Sequence, residues 1–146
     1  MPSLKDQAAD PAKRRAIIDD AAQLLDAEVA EKRGLSGLAV KAAFKAVKGV
    51  SPRMIPMSID ALLDDFCDAV DPFWAECQSS GAAPRPFFGQ RAAAVANALL
   101  QITDARARRS KQRILKGAYA KLRGQAANHI TVAMPRLADL ISHNAN

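Results

Sequence analysis

The stretch Thr103–Gln125, TDARARRSKQRILKGAYAKLRGQ, decides how the rest of the chain is read. It holds eight basic residues against one acidic, a formal charge of +7, while the whole chain of 146 residues carries +6. The remainder is therefore close to neutral, and the basic excess is concentrated here. On a helical wheel Ile114, Leu115, Ala118, Tyr119 and Leu122 share one face, with Arg106, Arg109, Arg113, Lys116 and Arg123 opposite. This period predicts an amphipathic helix with a cationic outer surface, capped at its start by the Asp104 carboxylate. Arg108 and Lys111 depart from the pattern. They fall on the apolar side, where a carboxylate or a bound anion would have to meet them.

Helical periods continue on both sides of this stretch. Residues 1–9 are expected to form a flexible arm, and residues 10–146 a single domain. Asp10-Pro11 supplies an N-cap and a proline at the first helical position. The helix it opens runs to about Arg33, with Ile17, Ile18, Ala21, Leu24, Leu25 and Val29 as its stripe. Gly34 should end it, with Leu35 making the accompanying apolar contact. Ser36 should cap a second helix ending at Gly49, with Val40, Ala43, Phe44 and Val47 inward. A third follows Ser51-Pro52, with a kink or restart at Pro56 and a buried face of Ile55, Ile59, Leu62, Phe66 and Val70. Asp71-Pro72 is expected to start a short fourth helix that ends near Gly81 and anchors the core through Trp74. Residues 79–90 read as the longest loop, in which Phe87 and Phe88 either fold back on the core or mark an interaction site. A fifth helix over 91–102 precedes the basic one, and Pro135 is expected to interrupt the C-terminal region. Together these elements predict an all-α, single-domain bundle of about six or seven helices.

Composition agrees with a globular protein: 49% of residues are apolar and 25% charged. No apolar run approaches the ~20 residues of a membrane helix. The first residues lack the apolar core of a secretion signal, so a cytoplasmic location without membrane association is expected. Cys67 and Cys77 are expected to be reduced thiols. His129 and His143 sit near no ligand motif, and no metal or cofactor is expected. Asp60, Asp64 and Asp68 repeat every four residues opposite the apolar stripe, which favours a solvated acidic face over an acid–base or metal site.

The strings LDAEVAEKRGLSGLAVKAAFKAVKGVSP, DPFW, TDAR and MPRLADLI resemble a family of small bacterial all-helical proteins, a domain of unknown function. The likeness spans nearly the whole chain. It implies a single helical domain and carries with it no activity, ligand or site.

Paired inward carboxylates, a nucleophile–base set and a glycine-rich phosphate loop are all missing from the sequence. The leading expectation is a non-catalytic helical protein acting through protein–protein contacts. One form of this is a homo-oligomer that sets an acidic 60–76 surface against the basic 104–123 surface. The alternative is binding of nucleic acid or another polyanion through the basic helix. The candidate anion- or partner-binding residues are Arg106, Arg108, Arg109, Lys111, Arg113 and Lys116. An enzyme would draw on Arg106, Arg108 and Lys111 as an anion clamp, with Asp104 and Asp71 as the nearest acids.

Overall fold

The computed structural model describes residues 3–145. They form seven helices and no strand: α1 (Leu4–Ala9), α2 (Pro11–Glu31), α3 (Gly34–Val50), α4 (Met54–Ser80), α5 (Pro84–Gln90), α6 (Ala92–Arg109) and α7 (Arg113–Asn144). The all-α, single-domain reading therefore holds. The frame is two long helices. α7 packs against α6, α3, α5 and α2, while α4 packs against α1, α6 and α2.

Where a loose arm is expected, the chain is helical from Leu4; residues 1 and 2 of that arm lie outside the described residues. The Ser3 hydroxyl accepts from the Asp6 N–H, and Asp6 accepts from the Ser3 N–H, a reciprocal capping box. Leu4 and Ala8 then enter the core. At the next turn Asp10 caps α2 through the Lys13 N–H at 3.0 Å, with Pro11 at the first helical position, as the sequence predicts.

The α2–α3 corner differs from expectation. α2 ends at Glu31, and α3 already begins at Gly34, whose φ of +72° is the left-handed turn that glycine permits. Ser36 thus lies inside α3 and caps nothing. Leu35 is 88% exposed and makes no closing contact.

The predicted break at Asp71-Pro72 is absent, and α4 runs unbroken over 27 residues. Pro72 sits on the exposed face, and the carbonyl it leaves without a helical partner belongs to Asp68, itself an exposed residue. Pro56 falls in the first turn, where no N–H is needed. Asp71 has a different task from a cap of its own helix: it accepts from the Leu4 N–H at 2.6 Å and holds the start of α1. Gly81, with φ +71°, ends α4 as predicted. The buried stripe of α4 is Ile59, Leu63, Cys67, Val70, Trp74 and Cys77. It lies one residue on from the stripe expected through Leu62 and Phe66, and both of those are only half-buried.

The supposed loop over 79–90 contains α5. Phe87 and Phe88 are core residues in edge-to-face contact, with ring centroids 5.6 Å apart. α7 passes through Pro135 without interruption, again with the proline on an exposed face. Phe88, Met134, Val95 and Cys77 are the largest fully enclosed side chains. Both cysteines are free and buried, and burial pushes the Cys67 thiol up to about 11.

Candidate functional site: a groove with a cationic rim

The largest correction falls on the basic stretch, which is not one helix. α6 continues through Asp104 to Arg109, residues 110–112 turn, and α7 starts at Arg113. Ser110 and Gln112 favour the break: the Ser110 hydroxyl accepts from the Gln112 N–H at 3.2 Å, and the Gln112 side chain accepts from the Ile114 N–H at 3.3 Å. The basic residues therefore cluster around a helix–helix corner and are not spread along a rod.

Asp104 lies within α6 and caps no helix. It fastens the two arms of the corner together. Arg123 of α7 donates to it through Nε at 2.8 Å and Nη2 at 3.0 Å. The Tyr119 hydroxyl donates to it at 2.5 Å and lies 2.6 Å from the Thr103 hydroxyl. Arg123, then Tyr119, hold the Asp104 carboxyl below its ordinary range. Burial, then Asp104, pushes the Tyr119 hydroxyl above its own. Arg123, assigned by periodicity to the outer cationic surface, is thus an internal tie.

Between this corner and the first turns of α4 lies an open groove of about 470 Å³. Met54, Met57, Ala61 and Leu62 of α4 form one apolar wall, and Ala107, Leu115 and Tyr119 supply the other. Met57 is 54% exposed. Arg106, Arg109, Lys111 and Lys116 stand along the lining, with Ser58, Thr103, Ser110 and Gln112. The groove brings together four of the six candidate residues. Arg108 and Arg113 are also exposed, but they do not line it. Among the described residues, none of these six side chains makes a hydrogen bond or an ion pair. The one carboxylate of the basic stretch, Asp104, is already committed to Arg123 and Tyr119. The other acid suggested for a catalytic clamp, Asp71, is committed to α1.

The acidic stripe behaves differently. Asp60, Asp64 and Asp68 are exposed, as expected of a solvated face, but they are matched within the chain. Arg14 reaches Asp60 at 2.6 Å and Asp64 at 2.9 Å, and Lys5 reaches Asp68 at 3.0 Å. Glu76 pairs with Arg91. Asp60, Asp64, Asp68 and Glu76 thus meet cations of α1, α2 and the α5–α6 junction, not the basic corner, while Asp65 is exposed and, among the described residues, joins no ion pair. Among the described residues no group of three or more His, Cys, Asp or Glu side chains is placed to hold a metal ion, and no helix is long and apolar enough to cross a membrane.

The α4 wall of the groove is the part that sequence reasoning missed. Met54 and Met57 carry no charge or motif. Leu62 reads as core because it shares a period with Ile59 and Phe66. The available signal was a second apolar stripe beside the first, Met54, Met57, Ala61 and Leu62, too wide for one helix–helix contact.

No curated protein and no solved structure matches the chain. Residues 4–145 match the model of a family of unknown function, DUF6918, and the chain belongs to that family.

Proposed function

We propose that this chain is a non-catalytic interaction protein whose partner-binding surface is the groove between α4 and the α6–α7 corner. One observation carries the reading: four cations without intramolecular partners stand around an apolar floor. Elsewhere the cations that bridge helices, such as Lys5, Arg14, Arg85 and Arg136, end on carboxylates. The lining also offers no histidine, cysteine or carboxylate to act as nucleophile or base. An apolar floor with charged edges matches the general anatomy of a protein–protein contact, apolar at its centre and polar at its rim. A polyanion would use the cations and leave the floor empty.

A photo-crosslinking residue at Met57, introduced in the host cell, tests this reading. A discrete protein adduct that disappears when Arg106→Glu and Arg109→Glu are added is the expected result. A nuclease-sensitive adduct would put the polyanion reading first. No adduct would remove both.

A further inference from the structure

We infer that the occupant of the groove is an acidic amphipathic helix of a partner protein. This rests on the proposed function above and specifies the form and chemistry of the partner.

The argument begins with the spacing of the lining residues. On α4 they fall at 54, 57/58 and 61/62, on α6 at 103, 106/107 and 109, and on α7 at 115/116 and 119, with 110–112 in the turn between α6 and α7. Each set follows the three-then-four rhythm of a single helical face. Three helices therefore turn one stripe each toward a common gap, the arrangement that a further helix completes in a bundle. From 54 to 62 the α4 wall rises about 12 Å at 1.5 Å per residue, a little over two turns. Ser58, Ala61, Ala107 and Ser110 keep parts of the lining shallow, so a helix can approach closely. Met54 and Met57 are unbranched and can adjust to the side chains laid on them. A helix with apolar residues at i, i+3/i+4 and i+7 meets this floor.

Charge gives the sequence character of that helix. Arg106 and Arg109 stand one turn apart on α6, with Lys111 at the turn and Lys116 on α7. Acidic residues flanking the apolar stripe of the occupant would lie against them. A second copy of this chain does not present such a helix. Its most acidic stripe, Asp60–Asp64–Asp68, is already matched by Arg14 and Lys5. Duplex nucleic acid satisfies the cations but not the floor.

The test uses the full chain and two synthetic peptides of identical composition, built from Leu, Ala and Glu. In one the leucines follow the i, i+3/i+4, i+7 pattern; in the other the same residues are scrambled around the wheel. Fluorescence anisotropy at 150 mM salt should show the patterned peptide binding about tenfold tighter or more, since a mispatterned helix leaves its leucines in water. Ala61→Trp, which fills the floor and removes no charge, should abolish that preference. Arg106→Gln with Arg109→Gln should weaken both peptides and flatten the salt dependence. Unchanged thermal unfolding shows that each variant is folded. Equal binding of the two peptides, or preferential binding of a 20-base-pair duplex, would overturn the helix assignment. Failure of both peptides while the Met57 protein adduct persists would overturn it too, leaving the proposed function standing.

Discussion

Two faces of α4 solve the same electrostatic problem in opposite ways. On the face toward α1 and α2, Lys5 and Arg14 cross to Asp68, Asp60 and Asp64, and Asp71 holds the first N–H groups of α1. Beneath these pairs lies the main core, with Trp74, Phe87, Phe88 and Met134. On the face toward the α6–α7 corner, cations collect without carboxylates, and apolar side chains border an open groove. The closed face uses its charges to hold helices together. The four cations lining the open groove make no ion pair among the described residues, and Arg106 and Arg109 are like charges one turn apart, a mildly unfavourable arrangement. A surface that contributes little to folding is free to serve binding.

Removing apolar bulk should separate the two faces most sharply. Phe88 is 0% exposed, and Phe88→Ala should cost about 3–5 kcal/mol, as large truncations in closed cores do. Met57→Ala should stay within about 0.5 kcal/mol, as exposed substitutions do. Denaturant unfolding gives both values. A comparable loss at Met57 would mean that the groove wall is part of the core.

Charge removal gives a smaller contrast. Arg14→Gln breaks bonds to Asp60 and Asp64 and to the backbone carbonyls of Asp60 and Ala8. Its guanidinium is largely covered but its acidic partners are more than half exposed, so solvent screening limits the loss to about 1 kcal/mol. The triple change Arg106→Gln, Arg109→Gln, Lys116→Gln should leave stability unchanged or raise it slightly at low salt. Added salt should shrink both effects. If the triple variant loses stability, the corner cations have internal work.

How much of this was legible follows from which signals were local. Asp10-Pro11 and Gly81 announce their helix ends through their own chemistry, and both were read correctly. Pro72 and Pro135 were misread as breaks. A proline inside a helix costs one hydrogen bond and a clash of its ring with the carbonyl four residues back, and whether packing along the rest of the helix outweighs that cost is a tertiary property. The Pro- and Gly-rich string around Phe87 and Phe88 reads as a loop and masks a seven-residue helix. The candidate cations were visible as a charge run. Their grouping around a corner was not, because the break at 110–112 rests on two weak side-chain caps. The groove needed α4, some fifty residues earlier in the chain, and no periodicity within one segment can reveal a gap between three.

Asp104 stands at the border between the two regimes, as the single carboxylate inside the basic stretch. Asp104→Asn should destabilise the chain at neutral pH by removing the charge from the bonds to Arg123. Arg123 and Tyr119 depress the Asp104 pKa in the fold, so its stabilising contribution is present above the unfolded value of 3.8 and is lost as pH falls through the folded value. Wild type and variant should therefore converge in strongly acid solution. A gap that persists there would point to geometry, and not charge, as what holds the corner.

His129 of α7, within reach of the Lys32 and Glu28 charges, belongs to the α2–α7 contact, and the smallest effect should come from it. Its Nε2 is buried without a hydrogen-bond partner among the described residues. Burial, then the Lys32 charge, holds its pKa below 6.5, while Glu28 opposes the shift. On acidification the unfolded chain takes up this proton first, so folding stability should decline as pH drops below about 6.5 and level off at the lower folded value. The window lies above the range where carboxylates protonate, so the two contributions separate. His129→Gln should flatten the slope of unfolding free energy between pH 7 and 5.5. A wild-type curve flat across this window would mean that the fold accepts the imidazolium at no cost. The α2–α7 contact would then be more permeable to water and charge than the pairs of Arg136 with Glu28 and Glu31 imply.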